Sequence, residues 1–229
     1  MSIFLTGDTH IPIDTNKLNS SHFPEQKNLT RKDYLIVLGD FGLLWHEDKS
    51  YYWWKKWLEE RKYTTLWLDG NHENHTWIDS LPESEWHGGK VHFVSENNLI
   101  HLMRGQVYTI DDKKFFTYGG ALSVDKHLRI PDISWWAREE GSFAEEQEAI
   151  ANLEANDYKV DYILTHTCPD ELLQPMLQFS SIQPSATGRF LDYVARTTKY
   201  QDWYFGHHHV DKNYGKFHCL YNTIIKLKE

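Results

Sequence analysis

The sequence predicts an α/β fold. Three observations carry that reading: short apolar runs that stop at Gly or Thr before a polar residue, helical patterns between some of them, and a strand-rich middle.

In chain order, residues 2–6 run into Gly7-Asp8 and residues 34–38 into Gly39-Asp40. Residues 64–68 lead through Asp69 into Gly70-Asn71-His72. Residues 161–164 precede Thr165-His166, and residues 202–205 precede Gly206-His207. Brief β-branched or aromatic runs ended this way read as buried strands. Between them, residues 51–62 put Trp54, Trp57 and Leu58 on one helical face, and Trp53 is expected in the core with its neighbours. Residues 142–156 form a stronger helical pattern. Ser142 caps it, Glu145 completes a capping box, and Phe143, Ile150 and Leu153 are expected on its buried side. A third helix is expected over residues 187–197, and residues 91–118 read as short strands joined by polar turns. No Gly/Ser- or Pro-rich linker divides the chain, so residues 1–229 are expected to form a single domain.

Composition narrows the function classes. The formal net charge of -9 repels a phosphate backbone and argues against coating an extended nucleic acid. A nucleotide or a nucleic-acid end entering a locally cationic cleft remains compatible with it. The two cysteines, Cys168 and Cys219, form no C-x-x-C pair, which fits a reducing cytoplasm and not a Cys-rich zinc site. Cys168 has no Arg at the spacing that a thiol phosphatase needs and is expected to pack. The N-terminal residues lack the pattern of a signal peptide, and no apolar run spans a bilayer, so no membrane association is expected. The 14 His residues are the main oddity, because imidazole is the commonest metal side-chain ligand.

The chemistry lies at the strand ends. Asp8 and His10, Asp40, Asn71 and His72, His166, and His207 and His209 share one context: an apolar strand, then Gly or Thr, then a ligand-type residue. Each alone has a plain structural reading as a turn, cap or core residue. Together they form a donor set for divalent metal. Two ions close together need a bridging anion, for which Asp40 is the candidate, and neutral His and Asn complete the shells without repelling a phosphate. The mixed oxygen and nitrogen set suits transition metals, with Mn²⁺ the leading expectation and Fe, Zn²⁺, Co²⁺ or Ni²⁺ the alternatives.

The run Asp8-x-His10, Gly39-Asp40, Gly70-Asn71-His72-Glu73, His166, Gly206-His207-x-His209 resembles the calcineurin-like metallophosphoesterase superfamily, in motif order and over most of the chain. The resemblance implies a four-layer α/β/β/α sandwich of two mixed β-sheets flanked by helices. It implies one metal held by Asp8, His10, Asp40 and His209, and a second by Asp40, Asn71, His166 and His207. It assigns His72 to the phosphate and the leaving group. The implied reaction is in-line attack on phosphorus by a metal-bridging hydroxide, with a small phosphate ester or nucleotide as substrate. Other readings are a nuclease acting on nucleic-acid ends, or a scaffold that kept the fold without the chemistry. A metallo-β-lactamase-like enzyme would need an H-x-H-x-D-H motif, which is absent.

One departure stands out. Many family members place Asp and then Arg after the second motif, and here those positions are Leu43 and Leu44. That argues against the protein Ser/Thr phosphatase branch and leaves open what orients His72. Glu73 also replaces the more familiar Asp. The segment from Gly119-Gly120 to Arg138 mixes cations with Trp135 and Trp136. There Arg129 or Arg138 is a candidate phosphate contact, and the two Trp are expected to pack. His46 and His75 are expected to be solvated loop residues.

Overall fold

The computed structural model of the protein describes residues 1–96, 98–178 and 183–227. In chain order its strands are β1 (Ile3–Thr6), β2 (Tyr34–Val37), β3 (Thr64–Trp67), β4 (Glu83–Trp86), β5 (Gly89–Ser95), β6 (Leu99–Leu102), β7 (Gln106–Ile110) and β8 (Lys113–Tyr118). They continue with β9 (Tyr162–Thr165), β10 (Asp202–Phe205), β11 (Lys212–Tyr214), β12 (Phe217–Cys219) and β13 (Ile225–Lys226). The α-helices are α1 (Lys49–Glu59), α2 (His75–Asp79), α3 (Phe143–Glu154) and α4 (Ala186–Thr197).

The strands form two mixed sheets. The seven-stranded sheet has the order β13-β1-β2-β3-β6-β5-β4, with β1, β2, β3 and β6 parallel. The six-stranded sheet has the order β11-β12-β10-β9-β8-β7, with β12, β10, β9 and β8 parallel. Antiparallel partners close the edges of both. Parallel strands covered on both faces need apolar residues on both, which is why β1, β2 and β3 show no polar alternation.

Core clusters define the layers. Leu5, Ile36, Leu66 and Ile100 of the first sheet meet Tyr108, Phe115, Tyr162 and Leu164 of the second. On the outer face of the first sheet, Val37, Trp67 and Leu99 pack under Leu58 of α1 and Ile78 of α2. Beside them, Phe4 and Leu35 lie under Leu18 and Phe23. On the outer face of the second sheet, Phe116, Ile163 and Trp203 pack under Leu153 of α3 and Phe190, Leu191 and Val194 of α4. This is an α/β/β/α sandwich, as the resemblance implied. Among the described residues no helix is long and apolar enough to cross a membrane.

The helices correct some expectations. The capping box of α3 forms: the Glu145 N–H donates to Ser142 Oγ at 3.3 Å and the Ser142 N–H to Glu145 Oε2 at 2.8 Å. Phe143, however, is 74% exposed, because at 3.6 residues per turn it points roughly 80° away from buried Leu153. Trp53 is likewise 57% exposed, since it lies roughly 140° around α1 from Leu58, while Trp54 and Trp57 pack on the core. His75 is not solvated. It is buried at the start of α2, beneath the Trp136 ring and 4.0 Å from Asp69.

Candidate metal centre and cleft

The strand ends converge. β1, β2 and β3 deliver Asp8, Asp40 and Asn71, and β9 and β10 of the other sheet deliver His166 and His207. Crossing between sheets at this depth requires glycine. A Cβ on Gly70 would lie 2.0 Å from Asp40 Oδ1, one on Gly206 2.5 Å from Asp8 Oδ2, and one on Gly39 2.2 Å from His166 Nδ1. Each Gly of the motif therefore makes room for a polar side chain arriving from a neighbouring strand.

The backbone is bent to the same end. Asp8, His10, Asp40, His207 and His209 all have left-handed φ, between 36° and 67°. Side-chain-bearing residues rarely adopt that region, and such strain gathers at functional sites. Backbone bonds hold the bends, with His10 N donating to Asp40 O at 2.8 Å and Asp8 N to Gly39 O at 3.2 Å.

Two groups of donor atoms result. Asp8, His10, Asp40 and His209 form one, and Asp40, His166 and His207 form the other, each with its atoms within 4.8 Å of one another. Asn71 adjoins the second group, its Oδ1 lying 3.1 Å from His166 Nε2. Buried Asp40 belongs to both, with Oδ2 3.2 Å from His10 Nε2 and Oδ1 3.3 Å from His166 Nε2. The other ring nitrogens are committed elsewhere. His10 Nδ1 pairs with Asp14 at 2.8 Å, and His166 Nδ1 donates to Leu38 O at 2.8 Å. A metal-ligating His is oriented in this way, its second nitrogen tied and its first free.

The electrostatics centre on Asp40. Burial raises the Asp40 pKa, but the fields of His166 and His10 outweigh it and hold the carboxyl well below the usual range. Burial lowers His166, and Asp40 overrides that to bring it to about 9. His10 is raised through the same contest with Asp40 and Asp8. Among the described residues the ion pairs of Asp40 are with these imidazoles, not with Lys or Arg. An all-oxygen-and-nitrogen donor set around a shared buried carboxylate fits divalent transition ions.

The family model for calcineurin-like phosphoesterases matches residues 1–211. The chain belongs to the calcineurin-like phosphoesterase family. No curated protein matches it. Membership implies phosphoester hydrolysis in general and divalent metal at a site of this kind.

The cleft beside the donor groups measures about 620 Å³, within the span of ordinary ligand pockets, with Asp40, Asn71, His72, Ser123, Arg129 and His207 on its walls. His72 stands at its edge, its backbone N–H donating to Asp40 Oδ1 at 2.7 Å. Arg129 spans the imidazole, with Nη1 3.0 Å from Nδ1 and Nη2 3.3 Å from Nε2. Asp125 grips that guanidinium through two bonds of 2.9 Å. Burial, reinforced by Arg129, lowers the pKa of His72 despite Asp40. Leu43 and Leu44 are both buried, so the Arg129–Asp125 pair braces His72 where no Asp–Arg pair follows Asp40. Arg138 lies elsewhere: it is forked between Asp79 at 2.9 Å and Glu145 at 2.9 Å, outside the cleft. Trp136 is buried and donates to Thr76 Oγ1, and Cys168 is buried in the core beneath α4.

Sequence reasoning missed several supporting residues. Lys17 is buried, and its Nζ donates to the carbonyls of Gly7, Asp8 and Tyr221, pinning the bend after β1. Burial lowers its pKa to about 8. Glu73 accepts from Phe41 N at 2.7 Å and holds the loop after Asp40. Burial and the neighbouring Asp40 push its pKa well up. Ser123 accepts from Asn71 Nδ2 at 3.0 Å, fixing which amide atom faces the centre. Asp14, four residues after His10, and Glu73, next to His72 in the motif, carried a local signal.

Proposed function

We propose that the protein is a dinuclear metal-dependent phosphoesterase acting on a small-molecule or nucleotide phosphate ester. One ion is held by Asp8, His10, Asp40 and His209, and the other by Asp40, Asn71, His166 and His207, with Mn²⁺ the first candidate. The observation that carries this is Asp40: a buried carboxylate shared by two donor groups, with imidazole lone pairs and no fixed cation around it. Bound there, divalent ions supply Lewis-acid charge to phosphoryl oxygens and lower the pKa of water.

The chain's own residues do the rest. Arg129 places its guanidinium charge on the cleft wall beside His72, where it attracts a phosphoryl oxygen. His72 sits in a site that favours its neutral form, so a proton placed on it is given up readily to a leaving oxygen. Glu73, Lys17 and Asp14 hold the loops that aim these groups. Buried Leu43 and Leu44 favour a substrate other than a phosphoprotein.

The test is turnover of p-nitrophenyl phosphate and bis-p-nitrophenyl phosphate by the Mn²⁺-loaded protein, beside Asp40→Asn. Hydrolysis of either that falls by about 10³-fold in the variant supports the reading. Folded, metal-replete protein that turns over neither, or an Asp40→Asn variant at the wild-type rate, contradicts it.

A further inference from the structure

A second chamber opens on the far side of His72. It holds about 340 Å³ and is walled by Pro12, Ile13, Leu43, Trp45, Tyr51 and Trp54. His10 and His72 form its inner edge, and His72 also lines the polar cleft. The imidazole therefore stands between a polar compartment beside the metal-ligand groups and an apolar one.

The chamber's rings are held in place before anything binds. Trp45 meets Trp136 edge-on, 5.5 Å between centroids at 81°, and Tyr51 packs on Trp77 at 4.8 Å. The Asn74 side chain donates to Trp45 O at 3.1 Å and accepts from Trp77 N at 3.0 Å, tying the chamber to the loop that carries His72. No Lys or Arg is among the lining residues, and Asp48 sits at the rim. An anionic group is disfavoured there, so the phosphate belongs in the cleft. The volume is at the small end of ligand pockets and suits one ring system. Leu43 occupies a position where an acidic side chain would have made this wall polar.

We infer that the chamber receives a planar, uncharged aromatic group on the leaving side of the ester, which rests on the phosphoesterase reading above. An ester lying across His72 then has its phosphoryl group in the cleft, its bridging oxygen at the imidazole and its ring among Trp45, Tyr51 and Trp54. Aromatic stacking of this kind tolerates many rings and discriminates against alkyl groups.

Calorimetric titration of the Mn²⁺-loaded protein with benzylphosphonate and ethylphosphonate tests it without turnover. In both ligands carbon replaces the ester oxygen, and only the ring differs. The expected result is benzylphosphonate binding about tenfold or more tighter. That preference should fall to within about twofold in Tyr51→Ala and in Ile13→Glu. Ile13 is 77% exposed at the rim, so its substitution spares the fold. Adenosine 5′-monophosphate separates the sources of the ring: affinity sensitive to both substitutions identifies a nucleobase on a ribose spacer, and insensitivity identifies a ring attached directly to the ester oxygen. Loss of ethylphosphonate binding in the wild type points to failure of the phosphoesterase reading itself. Ethylphosphonate binding without a benzyl preference, or a preference that survives both substitutions, overturns the chamber assignment alone.

Discussion

Asp40 and Asp69 follow neighbouring parallel strands, β2 and β3, and both are buried. Both press against a glycine of another strand: Asp40 Oδ1 lies 2.0 Å from where a Cβ of Gly70 would be, and Asp69 Oδ1 2.1 Å from that of Gly119. Their partners differ. Arg104 donates to Asp69 Oδ2 from Nε at 2.8 Å and from Nη2 at 2.5 Å, so that charge is neutralised within the chain. Asp40 meets titratable imidazoles and a backbone N–H. Burial of an acid is therefore no mark of function by itself. The mark is a buried acid that, among the described residues, pairs with imidazoles able to ligate a metal and not with Lys or Arg.

Removing the internal counter-charge should have the largest effect. Arg104→Met strands Asp69 in the core and is expected to cost about 3–5 kcal/mol in urea unfolding. A cost below about 1 kcal/mol would erase the distinction between the two acids.

External counter-charge is the next lever. At a hundred times its dissociation constant, a divalent ion that binds only the folded chain adds about 2.7 kcal/mol of stability. Thermal unfolding should show that gain with Mn²⁺, its reversal by chelator, and its loss in Asp40→Asn. A gain of equal size in the variant would sever Asp40 from metal binding.

The smallest effect concerns the imidazoles around Asp69. Burial lowers His92 to about 4, with His101 adding to it, and lowers His75 to about 3. Both are neutral when folded, so the unfolded chain takes up protons first. Their contribution is complete above about pH 6.5 and is lost as pH falls toward 4. Glu139, raised to about 7 by burial, contributes the opposite slope. The informative quantity is thus a difference: between pH 6.5 and 5, His92→Gln should lose about 1–2 kcal/mol less stability than the wild type. Parallel pH profiles would show that His92 is not held neutral.

How much was legible follows the same divide. Asp8, Asp40, Asn71, His166 and His207 could be read as a set because each stands just after a buried strand with Gly or Thr between. Several strands and α3 were readable for a similar reason, since their periodicity and caps are local, whereas the pairing of two sheets was implied only by the family resemblance. The neighbours that tune the site were not. Lys17 reaches Tyr221 across the chain, Arg129 reaches His72 from a distant loop, and Arg104 finds Asp69 only in the fold. Phe143 and Trp53 were misplaced because a run of apolar residues does not reveal which side of a helix meets the sheet. His75 was misplaced because its burial comes from Trp136, far along the chain.

Metal stoichiometry tests the central claim most directly. The chain should be measured by elemental analysis after equilibration with Mn²⁺, as wild type, Asp40→Asn and Asp69→Asn, each shown to be folded by circular dichroism. The account predicts two ions per chain in the wild type and in Asp69→Asn, and the loss of at least one in Asp40→Asn. Two ions retained in Asp40→Asn at wild-type affinity would contradict it.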